Sequence, residues 1–284
     1  MVPQKSFSDA TLLLIAHGST VNAESAIAPL KHAATLEQSH VFSDVRVCFW
    51  QQPPFIRETL ASVQSPGVFI VPVFLSDGYF TTEIIPRELG FPTASNEAMP
   101  RVDRRSNQTL FYTQPIGTSA RMTDVILARA VEVIAQTGNS IPDSATALVL
   151  AAHGTSRNSD SRRAAEWHVQ RIRSLNRFAE VHTAFMEEEP RIRDTVRFTN
   201  APNIIVVPFF ISDGQHARED VPVLLGESPD AVQQRLRSNE PTFINPTERG
   251  GKRIWYSASI GTAPLVAEVI LDRVREAARW GSNQ

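Results

Sequence analysis

Val207-Pro208-Phe209-Phe210-Ile211-Ser212-Asp213-Gly214 repeats, 136 residues further on, the run Val71-Pro72-Val73-Phe74-Leu75-Ser76-Asp77-Gly78. Each is a nearly continuous apolar stretch that stops abruptly at small polar residues. That is the pattern of a strand buried on both faces and running out into a loop. The same offset sets Leu12-Leu13-Leu14-Ile15-Ala16-His17-Gly18-Ser19 against Leu148-Val149-Leu150-Ala151-Ala152-His153-Gly154-Thr155. From Val68 to Gly90, 10 of 23 positions are identical to their counterparts without a gap. Near the end of each half, Tyr112 and Ile116-Gly117-Thr118 match Tyr256 and Ile260-Gly261-Thr262 at an offset of 144, so eight extra residues are expected in a polar loop around Ser228 to Arg253. Two copies of this length are a duplicated domain and not a solenoid. The breaker-rich run from Thr137 to Ser144 separates them, giving domains at 1–138 and 145–284.

Within each copy, short apolar runs alternate with helical patterns. Strands are predicted near 12–16, 45–49, 68–74 and 110–113, and again near 147–151, 181–185, 204–210 and 254–257. Helices are predicted near 23–37, 54–61, 118–134, 159–174 and 263–279. Apolar strands linked by helical crossovers imply an α/β fold, with parallel sheets covered on both faces. Ligands of such sheets bind beyond the C-terminal ends of the strands. His17, His153 and the two Ser-Asp-Gly turns all fall there, and the two halves are expected to face each other across a cleft.

Composition narrows the class of protein. The 284 residues are 42% hydrophobic and 20% charged, which excludes disorder, collagen and a coiled coil. A net charge of −2 gives no reason to expect a nucleic-acid partner. The single cysteine, Cys48, excludes an internal disulfide framework, a CxxC zinc site and a cysteine-ligated iron–sulfur cluster. No apolar run reaches the ~18 residues of a membrane span, and the first residues lack a signal-peptide pattern, so a cytoplasmic protein with no membrane partner is expected. Lysine stands at only three positions, leaving arginine, with its planar fork for carboxylates, as the main cation.

Because the copies align, their differences are informative. His153 keeps a counterpart in His17, but His216 faces Phe80 and Glu187 faces Gln51. Arg157, Arg162, Arg163 and Arg218 face Val21, Ala26, Ile27 and Thr82. Ionisable groups cost stability unless they are paired or used. The second half therefore carries the polar site.

The strand ending in His-Gly-(Ser/Thr), the run Phe185-Met186-Glu187-Glu188-Glu189-Pro190 and the motif from Val207 to Pro222 resemble the class II tetrapyrrole chelatases. They are similar in particular to the two-domain sirohydrochlorin cobalt- and ferrochelatases of cobalamin and sirohaem synthesis. The resemblance covers nearly the whole chain. It implies two duplicated flavodoxin-like, chelatase-like domains, a tetrapyrrole substrate, and a divalent metal as co-substrate: cobalt or ferrous iron, with nickel as a further option. It implies no organic cofactor and leaves monomer and homodimer open. The family's metal-site histidines match His153 and His216, and its assisting acid falls at or near Glu187. Glu83 is a rival for that acid, because some two-domain relatives draw it from the other half. The first half, lacking the second histidine and the acid, is expected to be degenerate, and the role of His17 stays open.

On this reading neutral imidazoles bind the ion and accept protons near neutral pH. Glu187 passes the protons onward. Sirohydrochlorin has eight carboxylates, which Arg157, Arg162, Arg163 and Arg218 could clamp, while Ser212, Asp213 and Gly214 let backbone approach the ring. Other readings compete. Arg162 and Arg163 sit on a predicted helix beside Glu166, where a surface ion pair is equally expected. Trp50, Tyr79 and Phe80 are either an aromatic wall for the macrocycle or core filling. His168 and His182 have no supporting context, and His32 and His40 are expected to be exposed. Protoporphyrin ferrochelatase and a non-catalytic metal or tetrapyrrole carrier are the alternative functions. A histidine phosphatase is disfavoured because Ala16 and Ala152 stand where its phosphate-binding arginine belongs.

Overall fold

The computed structural model describes residues 7–91, 101–138, 140–154 and 160–280. The chain forms two compact units, Met1–Ser119 with Pro264–Gln284, and Ala120–Ala263. In the first, strands β1 (Phe7–Ala16), β2 (Phe42–Phe49), β3 (Gly67–Pro72), β4 (Val102–Arg104) and β5 (Thr109–Tyr112) form a sheet of order β2-β1-β3-β5-β4. All neighbours are parallel except the short edge strand β4. Helices α1 (Ile27–Gln38), α2 (Ile56–Ala61) and α3 (Ile85–Leu89) belong to the crossovers.

The second unit repeats this plan. It contains helix α4 (Met122–Gln136), β6 (Thr146–Ala152), α5 (Asp160–Ser174), β7 (Glu180–Phe185), α6 (Thr195–Phe198), β8 (Asn203–Pro208), α7 (Val221–Leu224), α8 (Pro229–Arg237), β9 (Thr247–Arg249) and β10 (Lys252–Tyr256). Its sheet order is β7-β6-β8-β10-β9, with β9 antiparallel. The last helix, α9 (Val266–Trp280), belongs to the first unit.

The expected α/β duplication is therefore present, and every predicted strand is found. Leu12, Leu13, Leu14 and Ile15 of β1 are fully buried, as are Val149 and Ala151 of β6, because each central strand is covered on both faces. In each sheet the four parallel strands follow the flavodoxin-like order 2-1-3-4, whose switch point lies between the first and third. His153 leaves the end of β6, and the Ser212-Asp213-Gly214 turn follows β8. The site residues thus lie at that switch point.

The compact units and the sequence repeats divide the chain differently. The repeat boundary lies near residues 137–144, yet α4 packs on β8, β10 and α5, whereas α9 packs on β3, β5 and α1. Each half gives its last helix to the other unit. A buried arginine pins each helix in place. Arg129 donates to the Ser259 carbonyl at 3.2 Å and the Thr262 hydroxyl at 2.8 Å. Its counterpart Arg273 donates to the Pro115 carbonyl at 3.0 Å and the Thr118 hydroxyl at 2.6 Å.

Two sequence expectations are corrected here. The insertion after Ser228 is not all loop: it includes α8, which opens with Pro229 and Asp230 and closes with Arg235 and Arg237, a sound helical start and finish hidden by its polar composition. His32 is buried, not exposed. It lies on the stripe Pro29, His32, Ala33, Leu36, repeated in α5 as Ala165, His168, Val169, Ile172.

Candidate active site

Three strand ends of the second unit build the site. His153 follows β6, and the carbonyl of His153 accepts the backbone N–H of Met186 at 3.0 Å and of Glu187 at 3.3 Å, tying the end of β7 alongside. Gly154 has φ +65°, and a Cβ there would lie 2.8 Å from both Phe185 Cβ and Glu188 Oε1, so the tight exit from β6 demands glycine. Beyond β8, His216 opens a wide turn in which Val221 N–H donates to the His216 carbonyl, five residues back. Turns of this width are rare and recur at functional sites. Tyr256 Oη donates to the Ala217 carbonyl at 2.7 Å, anchoring the turn from below. Burial pushes the Tyr256 phenol well above its ordinary value, with the Asp213 carboxylate adding to the effect, so the phenol stays a donor.

The two imidazoles come together. Their ring centroids are 5.0 Å apart with the planes at 77°. A first-row ion binds imidazole nitrogen at about 2.0–2.1 Å, so two rings sharing one ion at a tetrahedral angle would have centroids about 5 Å apart. The spacing fits. His153 Nδ1 lies 2.7 Å from the Gly154 carbonyl, and His216 Nδ1 lies 2.6 Å from Asp220 Oδ2. Both partners are acceptors, so in the neutral ring each Nδ1 carries the proton and each Nε2 the lone pair. Glu187 Oε1 is 3.9 Å from His153 Nε2, too far for a direct bond and near enough to act through an ion or a water. With 39% of His153, 47% of His216 and 57% of the Glu187 side chain exposed, the group is open to a ligand. Among the described residues no three His, Cys, Asp or Glu side chains converge as a closed metal cage. The donor set is a pair that leaves the remaining coordination positions to something else.

The family model CbiX matches residues 11–133 and 147–277, taking in both halves. The chain belongs to the CbiX family. A Halobacterium salinarum protein named probable sirohydrochlorin cobaltochelatase is 36% identical over 277 residues, 94% of this chain and 91% of that protein. A Methanopyrus kandleri sirohydrochlorin cobaltochelatase is 30% identical over 144 residues, which is 46% of this chain and 96% of its own length. Half of the present chain thus corresponds to a whole relative, as duplication requires. Among solved structures, a multi-domain Deinococcus radiodurans protein described as similar to chelatases matches with a TM-score of 0.74 and 28% identity, covering 94% of this chain. This chain spans 55% of the Deinococcus protein's length.

The arginines of this CbiX member are mostly engaged. Arg162 donates to Glu166 at 2.8 Å, to Glu188 Oε2 at 2.9 Å and to the Glu189 carbonyl at 3.1 Å, and its guanidinium lies over Phe185 at 4.9 Å. The hydrogen bond to Glu188, followed by that to Glu166, raises its already high pKa despite some desolvation. Arg163 pairs with Asp160. Both line a groove of about 520 Å³ with Trp167, Gln170 and Arg173, and neither histidine of the pair belongs to its walls. Arg218 is half-buried on the turn that carries His216. Asp213 accepts Ser259 N–H at 2.7 Å and the Thr262 hydroxyl at 3.1 Å, and the Ser212 carbonyl accepts the Ser259 hydroxyl, so this turn is held by the segment that follows β10. Gly214 is buried, and its carbonyl accepts Arg218 N–H. Arg157 lies outside the described residues. Asp220 and Tyr256 were not singled out from sequence, although Asp220 faces Ile84 in the repeat, the same kind of asymmetry that marked His216.

In the first unit His17 keeps its bond to the Gly18 carbonyl at 2.9 Å, but aromatic rings surround it. Its centroid is 4.8 Å from Phe80 and 5.4 Å from Trp50, and those two rings meet at 4.9 Å. Trp50 and Phe80 are half-buried, and Tyr79 is exposed. Glu83 stands exposed on the turn equivalent to that of His216. Asp77 differs from its twin Asp213 for a local reason: Pro115 replaces Ser259 and has no N–H, leaving Asp77 Oδ1 without a partner.

Proposed function

We propose that this chain is a sirohydrochlorin chelatase, inserting cobalt or ferrous iron into the macrocycle in cobalamin or sirohaem synthesis. The observation that carries the reading is the imidazole pair of His153 and His216, with both Nε2 lone pairs free and a centroid spacing suited to one ion. In the reaction a divalent ion enters, two pyrrole N–H protons leave, and the metallated ring departs. Two protein donors suit an ion in transit, since the pyrrole nitrogens must replace whatever holds it. His153 and His216 bind the ion as substrate. Glu187, beside His153, accepts the released protons and passes them to solvent.

Arg218 stands on the same turn as His216 and is proposed to meet a carboxylate of the ring. Arg162 ties its helix to Glu188 in the loop after β7, and Arg163 pairs with Asp160 on its own helix. The relatives' names support sirohydrochlorin and cobalt. Imidazole donors suit ferrous iron equally. Among the described residues no helix is long and apolar enough to cross a membrane, and a cytoplasmic setting is the reading that accords with the proposed biosynthetic role. The test is an absorbance assay with purified protein, sirohydrochlorin, and Co²⁺ or Fe²⁺ in turn. Metallation above the uncatalysed rate, lost in His216→Ala, supports the reading. A rate equal to that without protein overturns it.

A further inference from the structure

We infer that Asp220 is a positioning residue that holds His216 in its ion-binding form. This rests on the reading of His153 and His216 as metal donors. A neutral imidazole has one N–H, and which nitrogen bears it is set by what the other parts of the site accept. Asp220 Oδ2 lies 2.6 Å from His216 Nδ1, the distance of a charge-assisted bond. An ionised carboxylate only accepts, so the proton must sit on Nδ1 and the lone pair on Nε2. Without that acceptor the ring could carry its proton on Nε2, where it blocks a metal, or rotate away from His153.

The geometry has a local cause. Asp220 is four residues beyond His216 on the wide turn closed by Val221 N–H, so the carboxylate comes to lie beside the ring. Phe210, with its centroid 6.1 Å from that of the imidazole, flanks another side. The internal repeat offers a control made by the chain itself. At the two positions where the second half has His216 and Asp220, the first half has Phe80 and Ile84. The half without the imidazole also lacks its carboxylate. His153 is oriented differently, by the neutral carbonyl of Gly154, so the two rings depend on different partners and the carboxylate serves only one. Carboxylates behind metal-binding histidines fix ring orientation and strengthen the donor, and removing one costs about 10–100-fold in metal affinity.

A plain surface ion pair at this spacing would have no such consequence, and the two are separated by measuring the full-length chain with Co²⁺ alone. Asp220→Ala is expected to weaken Co²⁺ binding about 10–100-fold, read from the cobalt d–d absorption, with little change in melting temperature. Asp220→Asn keeps an acceptor oxygen and is expected to recover most of the affinity. Long-range ¹H–¹⁵N correlation spectra are expected to place the His216 proton on Nδ1 in the wild type and in Asp220→Asn, but not in Asp220→Ala. Unaltered Co²⁺ affinity in Asp220→Ala, or a wild-type His216 protonated on Nε2, overturns the inference. A chain that binds Co²⁺ in this Asp220-dependent way yet leaves sirohydrochlorin unmetallated overturns the proposed function and not the role of Asp220. A wild type with no affinity for either Co²⁺ or Fe²⁺ overturns both.

Discussion

Tyr256 reaches the carbonyl of Ala217, the residue next to His216, with a 2.7 Å hydrogen bond, and Tyr112 makes the same bond to Thr81 in the other repeat. Burial pushes both phenols up in pKa, so both remain donors at neutral pH. Their symmetry makes a matched experiment. Tyr256→Phe and Tyr112→Phe should each lower unfolding free energy by about 1–2 kcal/mol, since each leaves a buried carbonyl short of a donor. Only Tyr256→Phe should also weaken Co²⁺ binding, because only its turn bears a donor histidine. Equal loss of affinity in both variants would show that the effect is global.

Gly261 supports the same turn from another side. Its missing Cβ leaves room for the backbone of Ile211, which a Cβ would strike. Backbone cannot rotate away as a long side chain can. Gly261→Ala should therefore destabilise by about 1–3 kcal/mol and lower Co²⁺ affinity by shifting the loop that leads to His216. Denaturant titration and cobalt absorption on one sample would check both. A variant as stable as the wild type would mean that the loop yields freely.

Much of this arrangement was legible in the sequence, and the unread parts have physical causes. The strands were clear because a strand covered on both faces has little freedom in composition: Leu12 to Ile15 admit only apolar residues. His153 and His216 stood out by comparison with His17 and Phe80. Asp220 is marked in the same way by Ile84, but its role depends on the wide turn that sets its carboxylate beside His216, which the spacing alone does not show. His32 lies on a buried stripe with Pro29, Ala33 and Leu36, a spacing that the sequence already carries. The helix exchange could not be read from the repeat at all. Swapping two equivalent helices leaves the repeat pattern unchanged, since α4 and α9 occupy matching places in the two copies.

Glu180 links stability to pH. Its carboxylate is partly desolvated, which pushes its pKa up. The hydrogen bonds from His182 at 2.9 Å and from the backbone N–H groups of Asn200 and Ala201 at 2.7 Å outweigh that, and the net shift is downward. A carboxyl group with a depressed folded-state pKa stabilises the fold above its unfolded value, near ~4.3, and loses that contribution as pH falls through the folded value. Glu180→Gln should thus be less stable than wild type at neutral pH, with the gap closing below about pH 4. A gap that stays constant from pH 7 to pH 3 would contradict the sign.

Cys48 is fully buried in β2, and desolvation pushes its thiol up to about 12. Thiolate is the reactive form, so the native protein should resist alkylation at pH 8. Mass spectrometry after iodoacetamide treatment should find no adduct without denaturant and one adduct with it. Rapid native labelling would mean that β2 opens readily at the edge of its sheet.

The exchange of helices makes each half incomplete alone. Residues 1–138 hold one full copy of the repeat, yet the first sheet is covered by α9, whose Arg273 is buried and bonded to Pro115 and Thr118. Buried Val269, Ile270 and Val274 line the face that α9 brings to its unit. In a 1–138 fragment the apolar surface beneath α9 has no cover, while α4 has lost the sheet on which it packs. The fragment should therefore bind 1-anilinonaphthalene-8-sulfonate and melt without a cooperative transition. In the intact chain, Arg273→Ala should cost about 1–3 kcal/mol, because the buried guanidinium's bonds to the Pro115 carbonyl and the Thr118 hydroxyl are lost. A 1–138 fragment with a sharp melt and dispersed amide resonances would mean that α4 can fold back onto the first sheet, and the exchange would then be one of two accessible packings.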